Sequence, residues 1–217
     1  MSDFQDFKTQ IADWINRQDF SDILLTGFVR DAESKLNAEL RIDRMIRSTD
    51  ALIASRCAPL PDDWLEMDFV RIAACTPTGF VPINYKPRDE FFRLSDLPYS
   101  GPYGSSNSSA GKYTIEGRQI FVGGPPDTVN GQTVRLDYYA EVPVFSDDKD
   151  SWVYTKFPSL YRYAALMHAD LHAVGEEQAA ANMKQLCEDM IMKLNADHMR
   201  ARASGSRLSR TKVRSFG

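Results

Sequence analysis

The chain lacks the sequence features that define several large classes of protein. Its three cysteines, Cys57, Cys75 and Cys187, are widely spaced and form no CxxC pair, so neither a disulfide framework nor a thiolate metal site is indicated. No apolar run approaches the length needed to cross a bilayer, and residues 1–8 do not resemble a signal peptide. We therefore expect a soluble protein, made in the cytoplasm, that has no membrane partner.

Signatures of catalytic sites are missing as well. Gly123-Gly124 lacks the lysine of a phosphate-binding loop, and no GxSxG elbow or catalytic Cys-His signature is present. His168 and His172 have the spacing of a zinc-binding helix, but Ala169 replaces the general base and no third ligand is evident. We predict no enzymatic activity, no cofactor and no metal. A small helical enzyme that uses these two histidines is an alternative hypothesis.

What the chain does have is positive charge concentrated at one end. The 217 residues include 26 basic and 30 acidic ones, yet residues 200–217 contain no acid and few apolar groups. Such a segment gains too little from burial to order alone, so we predict a flexible basic C-terminal arm that orders on a partner. A solvated, disordered terminus is the alternative. The candidate partner-binding residues are Arg200, Arg202, Arg207, Arg210, Lys212, Arg214 and Phe216.

Helical periodicity marks the N-terminal region. Large apolar residues recur on one stripe and predict an amphipathic helix over residues 3–17. Ser21 offers an N-cap for a second helix that continues to about residue 42. The residues of the first stripe are Phe4, Phe7, Ile11, Trp14 and Ile15.

Two further helices are predicted near the C-terminus. Pro158 suits the first position of a helix that ends at Gly175, where glycine would form a left-handed cap. Glu176 begins another helix, which presents an apolar side that includes Met183, Cys187 and Ile191.

Between these helical regions the apolar period changes to two. Alternation over 51–57 and bulky residues over 64–74 predict strands, and Pro87 favours a brief helix over 88–94. A long Ser- and Gly-rich loop follows over 95–112. Residues 112–123 predict a hairpin that turns at Glu116-Gly117, and 134–142 predicts the clearest strand.

This order of elements predicts an α+β fold of four to six strands and two pairs of helices. We expect the N- and C-terminal helices to form one antiparallel bundle with an inserted small antiparallel β-sheet and hairpin region, followed by an extended basic C-terminal tail. The predicted segments are 1–45 and 146–199 for the helices of the bundle, 46–145 for the β region, and 200–217 for the arm.

Aromatic side chains are concentrated in and after the last strand. They favour core filling, and a subunit contact is the alternative, since aromatic groups provide large buried areas in both settings. The residues are Tyr138, Tyr139, Trp152, Tyr154, Phe157, Tyr161 and Tyr163.

Several short motifs follow one another along nearly the whole chain. They are Leu60-Pro61-Asp62-Asp63-Trp64, the 113–122 hairpin before a Gly-Pro-Pro turn, 134–140 before Val142-Pro143, Ser146-Asp147-Asp148, Trp152, the Phe157-Pro158 helix start, the two final helices and Ser204-Gly205-Ser206. In their order and spacing they resemble the bacteriophage head-to-tail adaptor proteins, the connector subunits beneath the portal of tailed phages.

The resemblance implies a structural protein of the virion that forms a homo-oligomeric, dodecameric ring under the portal protein. It also implies that the C-terminal segments bind the portal, and that the ring extends the DNA channel and carries tail or nozzle proteins. Packaged DNA would pass without sequence-specific binding, because acidic walls do not retain a polyanion. A nucleic-acid-binding protein that uses the same basic arm is the alternative hypothesis.

Overall fold

A computed structural model gives the fold of the chain. It describes residues 3–16, 19–73, 79–95, 111–124, 129–170 and 177–211, with the backbone alone described at 95 and 205–211. The predicted cap at Gly175, most of the predicted 95–112 loop and the last six residues lie outside these ranges.

Two compact units make up the chain. The first, here called the helical unit, joins Met1–Arg44 to Glu141–Gly217, and the second, the β unit, is Met45–Ala140. The helical unit is therefore built from both ends of the sequence. The mixed α+β class predicted from the sequence is confirmed.

The helical unit begins with two helices. α1 spans Asp3–Trp14 and α2 spans Asp22–Glu39. The N-cap of α2 is Ser21, whose Oγ accepts a hydrogen bond from the Leu24 backbone amide at 3.3 Å, as its sequence position indicates. Both helices end earlier than predicted.

The predicted apolar stripe of α1 is correct at three positions and wrong at its end. Phe4, Phe7 and Ile11 are buried, but Trp14 is 54% exposed. α1 stops at Trp14, and Asn16 with φ of 56° then turns the chain in the left-handed region. Trp14 is therefore the last residue of α1, and the apolar stripe is not buried up to the end of the helix.

Lys8 is a buried charge that apolar periodicity does not reveal. Its side chain is 3% exposed, its Nζ pairs with Asp22, and the ammonium lies 4.6 Å from the centre of the Phe4 ring. The pairing offsets the cost of removing the charge from water, and it joins the middle of α1 to the start of α2.

Three helices follow among the described residues of the C-terminal part of this unit. α4 spans Trp152–Lys156, α5 spans Pro158–Ala169, and α6 spans Glu177–Thr211. Pro158 occupies the start of α5, as predicted. α6 is described from Glu177 onward, and the predicted start at Glu176 lies outside the described residues. α4 was not predicted, because five residues are too few to show a helical period.

Aromatic rings fill the core of the helical unit. Phe145 stacks on Tyr154 with ring centres 4.9 Å apart, and it meets Phe4 and Tyr161 edge to face at 5.2 and 5.9 Å. Phe145 and Tyr161 are completely buried. The core-filling interpretation is thus confirmed for Tyr161, since offset and edge-to-face pairs add to the gain from burial.

In its described residues, the β unit contains eight strands in two sheets. Sheet A has the order β1-β8-β3-β4 and sheet B the order β2-β7-β6-β5. All the pairs are antiparallel except β5 with β6. The unit also contains helix α3, Arg88–Ser95, close to its predicted range. The strands are β1 Ile46–Leu52, β2 Cys57–Pro59, β3 Trp64–Ala73, β4 Phe80–Pro82, β5 Asn84–Tyr85, β6 Lys112–Glu116, β7 Gln119–Val122 and β8 Thr133–Ala140.

The single sheet of four to six strands that the sequence indicates is therefore wrong in number and in pairing. β4 and β5 contain three and two residues and lie beside prolines, so neither shows an alternating pattern. The β6–β7 hairpin and its turn at Gly117, with φ of 60°, are confirmed.

The predicted strand over 51–57 is also corrected. β1 starts earlier, at Ile46, and a tight turn separates it from β2. In this turn Ala54 and Cys57 exchange backbone hydrogen bonds of 2.8 and 2.9 Å, while Ser55 and Arg56 have φ of 51° and 64°. The alternation of Ala51, Ile53, Ser55 and Cys57 continues through this turn, so the sequence pattern does not show where β1 ends.

β8 lies at the centre of sheet A and separates two kinds of surface. Val134, Leu136 and Tyr138 belong to the apolar core of the β unit. Arg135 and Asp137 alternate with them and bind polar partners on β1 and β3. The alternation that predicted β8 therefore also reports which face is apolar.

The extended C-terminal tail predicted from the sequence is corrected for residues 200–211, whose backbone is helical. They continue α6 without a break and contain no proline. Propagating an existing helix costs far less than starting one, so the composition of this segment alone is a poor guide to its backbone.

Candidate functional site

The C-terminal end of α6 is the first candidate site. His198 is the last residue of α6 described as buried, and residues 199–204 are all exposed. Met199 is 64% exposed, and the helix continues from there to Thr211. Residues 199–211, here called the α6 end, extend about 20 Å along the helix axis. The exposed residues 199–204 therefore form a surface of α6 that is suited to a partner.

The predicted partner-binding residues fall into three groups. Arg200 and Arg202 are exposed on the α6 end, and Nη1 of Arg200 lies 3.3 Å from Oδ1 of Asp197. Arg207 and Arg210 belong to the same helix, where the backbone alone is described. Lys212, Arg214 and Phe216 lie outside the described residues. The structure thus brings the first four of these residues onto one helix.

Side chains of the helical unit anchor α6 immediately before the exposed end. Asn195 accepts a hydrogen bond from the Arg41 backbone amide and donates one to the Glu39 carbonyl, both at 2.8 Å. One turn later, Nδ1 of His198 lies 2.9 Å from Oδ1 of Asp43. The direction of the α6 end is thus fixed by contacts with residues 39–43, which sequence patterns did not reveal.

An ion pair holds α6 about two turns before Asn195. Lys35 on α2 binds Glu39 at 2.7 Å and Glu188 on α6 at 3.5 Å. Burial alone would lower the pKa of Lys35, but the two carboxylates outweigh it and the pKa is raised. Lys35 therefore stays charged and links the two helices.

A groove beside Trp14 is the second candidate site, here called the Trp14 groove. It has a volume of about 290 Å³, and its described lining residues are Gln10, Asp13, Trp14 and Arg162. Nη2 of Arg162, on α5, donates a 3.3 Å hydrogen bond to Oε1 of Gln10 on α1. The groove is therefore held on two helices and presents the exposed indole ring.

A polar network covers part of the other face of sheet A. Asp137 accepts hydrogen bonds from Ser48 and Arg71, and Arg135 binds Asp50 through two bonds of 2.7 Å. The Arg135 guanidinium lies 4.2 Å from the centre of the Phe80 ring. Each arginine is paired with an aspartate, so this network is suited to fixing β1, β8 and β3 and offers no excess charge to a ligand.

The residues that could take part in catalysis or metal binding are dispersed. His168 is half-buried on α5, while His172 lies outside the described residues. Among the residues that the structure describes, no group of three His, Cys, Asp or Glu side chains could hold a metal ion. Cys187 is buried, and burial raises the pKa of its thiol to about 11, which disfavours the nucleophilic thiolate.

Membrane insertion through a helix finds no support in the described part of the chain. No helix there combines the necessary length with sufficient apolar character.

The fold and the candidate sites define a class of protein: an α+β protein with exposed helical surfaces. The family model of the SU10 adaptor protein matches residues 2–211, so the chain belongs to the SU10 adaptor protein family. The resemblance to phage head-to-tail adaptors is thereby confirmed at the level of the family. Membership implies a structural role in the virion and association with other phage head or tail proteins. No curated protein matched the chain.

Proposed function

We propose that this protein forms a dodecameric ring under the portal, extends the DNA channel, and provides the platform for tail or nozzle proteins. Family membership supports the adaptor role. The single structural observation that supports the portal contact is that α6 continues past His198 and that residues 199–204, which include Arg200 and Arg202, are exposed.

In this proposal the C-terminal segment binds an acidic surface of the portal. Arg200, Arg202, Arg207 and Arg210 supply charge on a helix, and Lys212, Arg214 and Phe216 continue the segment beyond it. Many copies that bind at once give avidity, so each contact can be weak. The protein acts in the virion as an architectural, non-catalytic part.

Loss of positive charge from the arm tests the proposal directly. Arg207→Ala, Arg210→Ala and Arg214→Ala are combined in one chain, and complex formation with the portal protein is measured by light scattering and electron microscopy. We expect binding to weaken by about tenfold, because each exposed pair contributes little but three are removed. The matched control combines Lys149→Ala, Lys184→Ala and Lys193→Ala, three exposed lysines elsewhere in the helical unit.

Equal portal binding by the two triple variants would contradict the role of the arm. The same proteins are also mixed with duplex DNA over a range of salt concentrations. The nucleic-acid-binding alternative would be favoured if DNA retention requires the arm and falls steeply with salt, while portal binding is absent.

A further inference from the structure

β1 lies at one edge of sheet A, and β8 is its one paired neighbour among the described residues. The two strands pair in continuous antiparallel register over all seven residues of β1. Just after β1, the Ile53 amide donates a 2.9 Å hydrogen bond to the Gln132 carbonyl, on the β8 side. Backbone groups alternate in direction along a strand, so every second residue from Leu52 back directs its N–H and C=O away from β8. These outward residues are Ile46, Ser48, Asp50 and Leu52.

β1 lacks the features that protect the other edges of the two sheets. The edge strands β2, β4 and β5 have only two or three residues, and β2 and β4 contain proline. β1 has seven residues, without proline, lysine or a bulge. Its charged side chains are bound within the β unit, Arg47 to Asp63 and Asp50 to Arg135. Edges of this kind are where a sheet accepts another strand.

Solvent reaches this edge in the single chain. Ser48 and Asp50 are exposed, and Leu52 is 63% exposed. A row of backbone donors and acceptors that repeats at every second residue fits an extended polypeptide. Covering Leu52 also removes apolar surface from water. The edge is therefore suited to a strand, and the side chains beside it determine which strand fits.

The sequence of β1 fits a second copy of itself in one antiparallel register. When Thr49 lies opposite Thr49 of the second copy, the outward residues of the two copies meet one another. Ile46 then faces Leu52, an apolar pair at each end of the contact, and Ser48 faces Asp50, so no like charges are opposed. A register centred on Asp50 would oppose two carboxylates, and one centred on Ser48 would leave Leu52 without an apolar partner.

From these observations we propose that two copies of the free protein join through their β1 edges, so that sheet A continues across the contact as one antiparallel sheet of eight strands. The same surface of both copies forms this contact, and two copies complete it. The inference goes beyond the proposed function, because it concerns the protein before it meets the portal and uses neither the α6 end nor the arm.

Disulfide trapping without portal protein tests the register. Across the contact Thr49 forms a non-hydrogen-bonded pair with its counterpart, with Cα atoms about 4.5 Å apart, which is within the range of a disulfide. Full-length Thr49→Cys is oxidised mildly at about 0.5 mM, a concentration suited to a contact of small area. The matched control is Ala51→Cys, a half-buried position on the same face of β1, whose two copies would lie about 13 Å apart.

We expect the disulfide dimer of Thr49→Cys at a yield at least about tenfold above that of Ala51→Cys, because a separation of more than 7 Å or so excludes the bond. An equal mixture of Arg47→Cys and Ala51→Cys should give the mixed dimer, since these two positions are opposed in the same register. Equal yields from Thr49→Cys and Ala51→Cys would overturn the proposal.

Sedimentation velocity provides a measurement without engineered cysteines. The natural chain should form a dimer at about 0.5 mM, and Leu52→Lys should weaken it by about tenfold, because lysine on an edge strand opposes pairing. Ile23→Lys makes the same kind of change at an isoleucine of α2 that is 85% exposed, and it should have no effect. A monomeric natural chain at this concentration, or equal weakening by the two variants, would overturn the proposal.

Hydrogen exchange separates a second copy from a strand of another protein. In the free protein the amides of Ser48 and Asp50 should exchange at least about tenfold more slowly at 0.5 mM or so than at about 5 µM. Protection of these amides only after portal or tail proteins are added would assign the edge to a different chain and overturn the proposal. The portal-binding role of the arm is measured separately and does not depend on either result.

Discussion

The Tyr161 hydroxyl donates a 2.8 Å hydrogen bond to Oε1 of Glu33, and both side chains are buried in the helical unit. The same carboxylate oxygen accepts the Phe145 backbone amide at 2.6 Å, and the other binds Arg30 at 2.7 Å. Burial, followed by the charge of Glu33, raises the pKa of Tyr161 well above its usual value. One buried carboxylate thus connects α2, α5 and the segment that returns from the β unit.

Tyr161→Phe should destabilise the protein by about 1.5–3 kcal/mol, because it removes a hydrogen bond to a buried charge. Urea denaturation followed by circular dichroism measures the change. Tyr163→Phe, which removes a phenol from a half-buried position of the same helix, is the control and should have a smaller effect. Equal effects would show that Glu33 does not depend on the Tyr161 hydroxyl.

Trp14→Ala should cost less than about 1 kcal/mol, since the ring is mostly exposed and its removal leaves no core cavity. Phe7→Ala, in the same helix, should cost about 3–5 kcal/mol because Phe7 is fully buried. Thermal and urea unfolding of the two variants give the comparison. A large loss for Trp14→Ala would mean that the indole ring packs within its own chain.

Asp137→Ala should destabilise the β unit by about 2–3 kcal/mol, because it leaves Arg71 and Ser48 without their acceptor in a poorly solvated place. Asp50→Ala, which breaks the more exposed pair with Arg135, should cost less than about 1 kcal/mol. Hydrogen exchange of β8 amides measures both effects. A larger loss for Asp50→Ala than for Asp137→Ala would contradict the assigned difference in burial between the two pairs.

Tyr138 makes the stability of the folded protein depend on pH in the alkaline range. Burial, together with its hydrogen bond to Asp63, raises the pKa of Tyr138 to about 12 from an ordinary value near 10. The unfolded chain therefore releases the phenol proton at a lower pH than the folded protein does. The contribution of Tyr138 to the free energy of unfolding is present below about pH 10 and is lost as pH rises towards 12. Tyr138→Phe should flatten this fall in denaturation midpoints measured from pH 9 to 12. An unchanged slope would assign the fall to other groups.

Periodic apolar residues were sufficient to predict the larger elements. The stripe of α1, the start of α5 at Pro158, the β6–β7 hairpin and strand β8 all follow from local patterns. These signals work because each element buries one side against the rest of its unit. They fail for β4 and β5, which are too short to repeat a pattern.

The sequence predicted the basic composition of the candidate site but not its backbone conformation. Six basic residues without an acid identify 200–217 as distinctive, but composition suggested an extended arm where the backbone of residues 200–211 is helical. The contacts that direct the helix, His198 with Asp43 and Asn195 with Arg41, join positions more than 150 residues apart. Sequence patterns do not encode such distant pairs.

The sequence by itself determined the helical ends, the β region between them and the concentration of charge at the C-terminus, because periodicity and composition are local properties. The tertiary structure decided that Trp14 is exposed, that Lys8 and Glu33 are buried with partners, and that residues beyond His198 extend α6. Burial depends on which distant segments pack together, and a single segment does not contain that information.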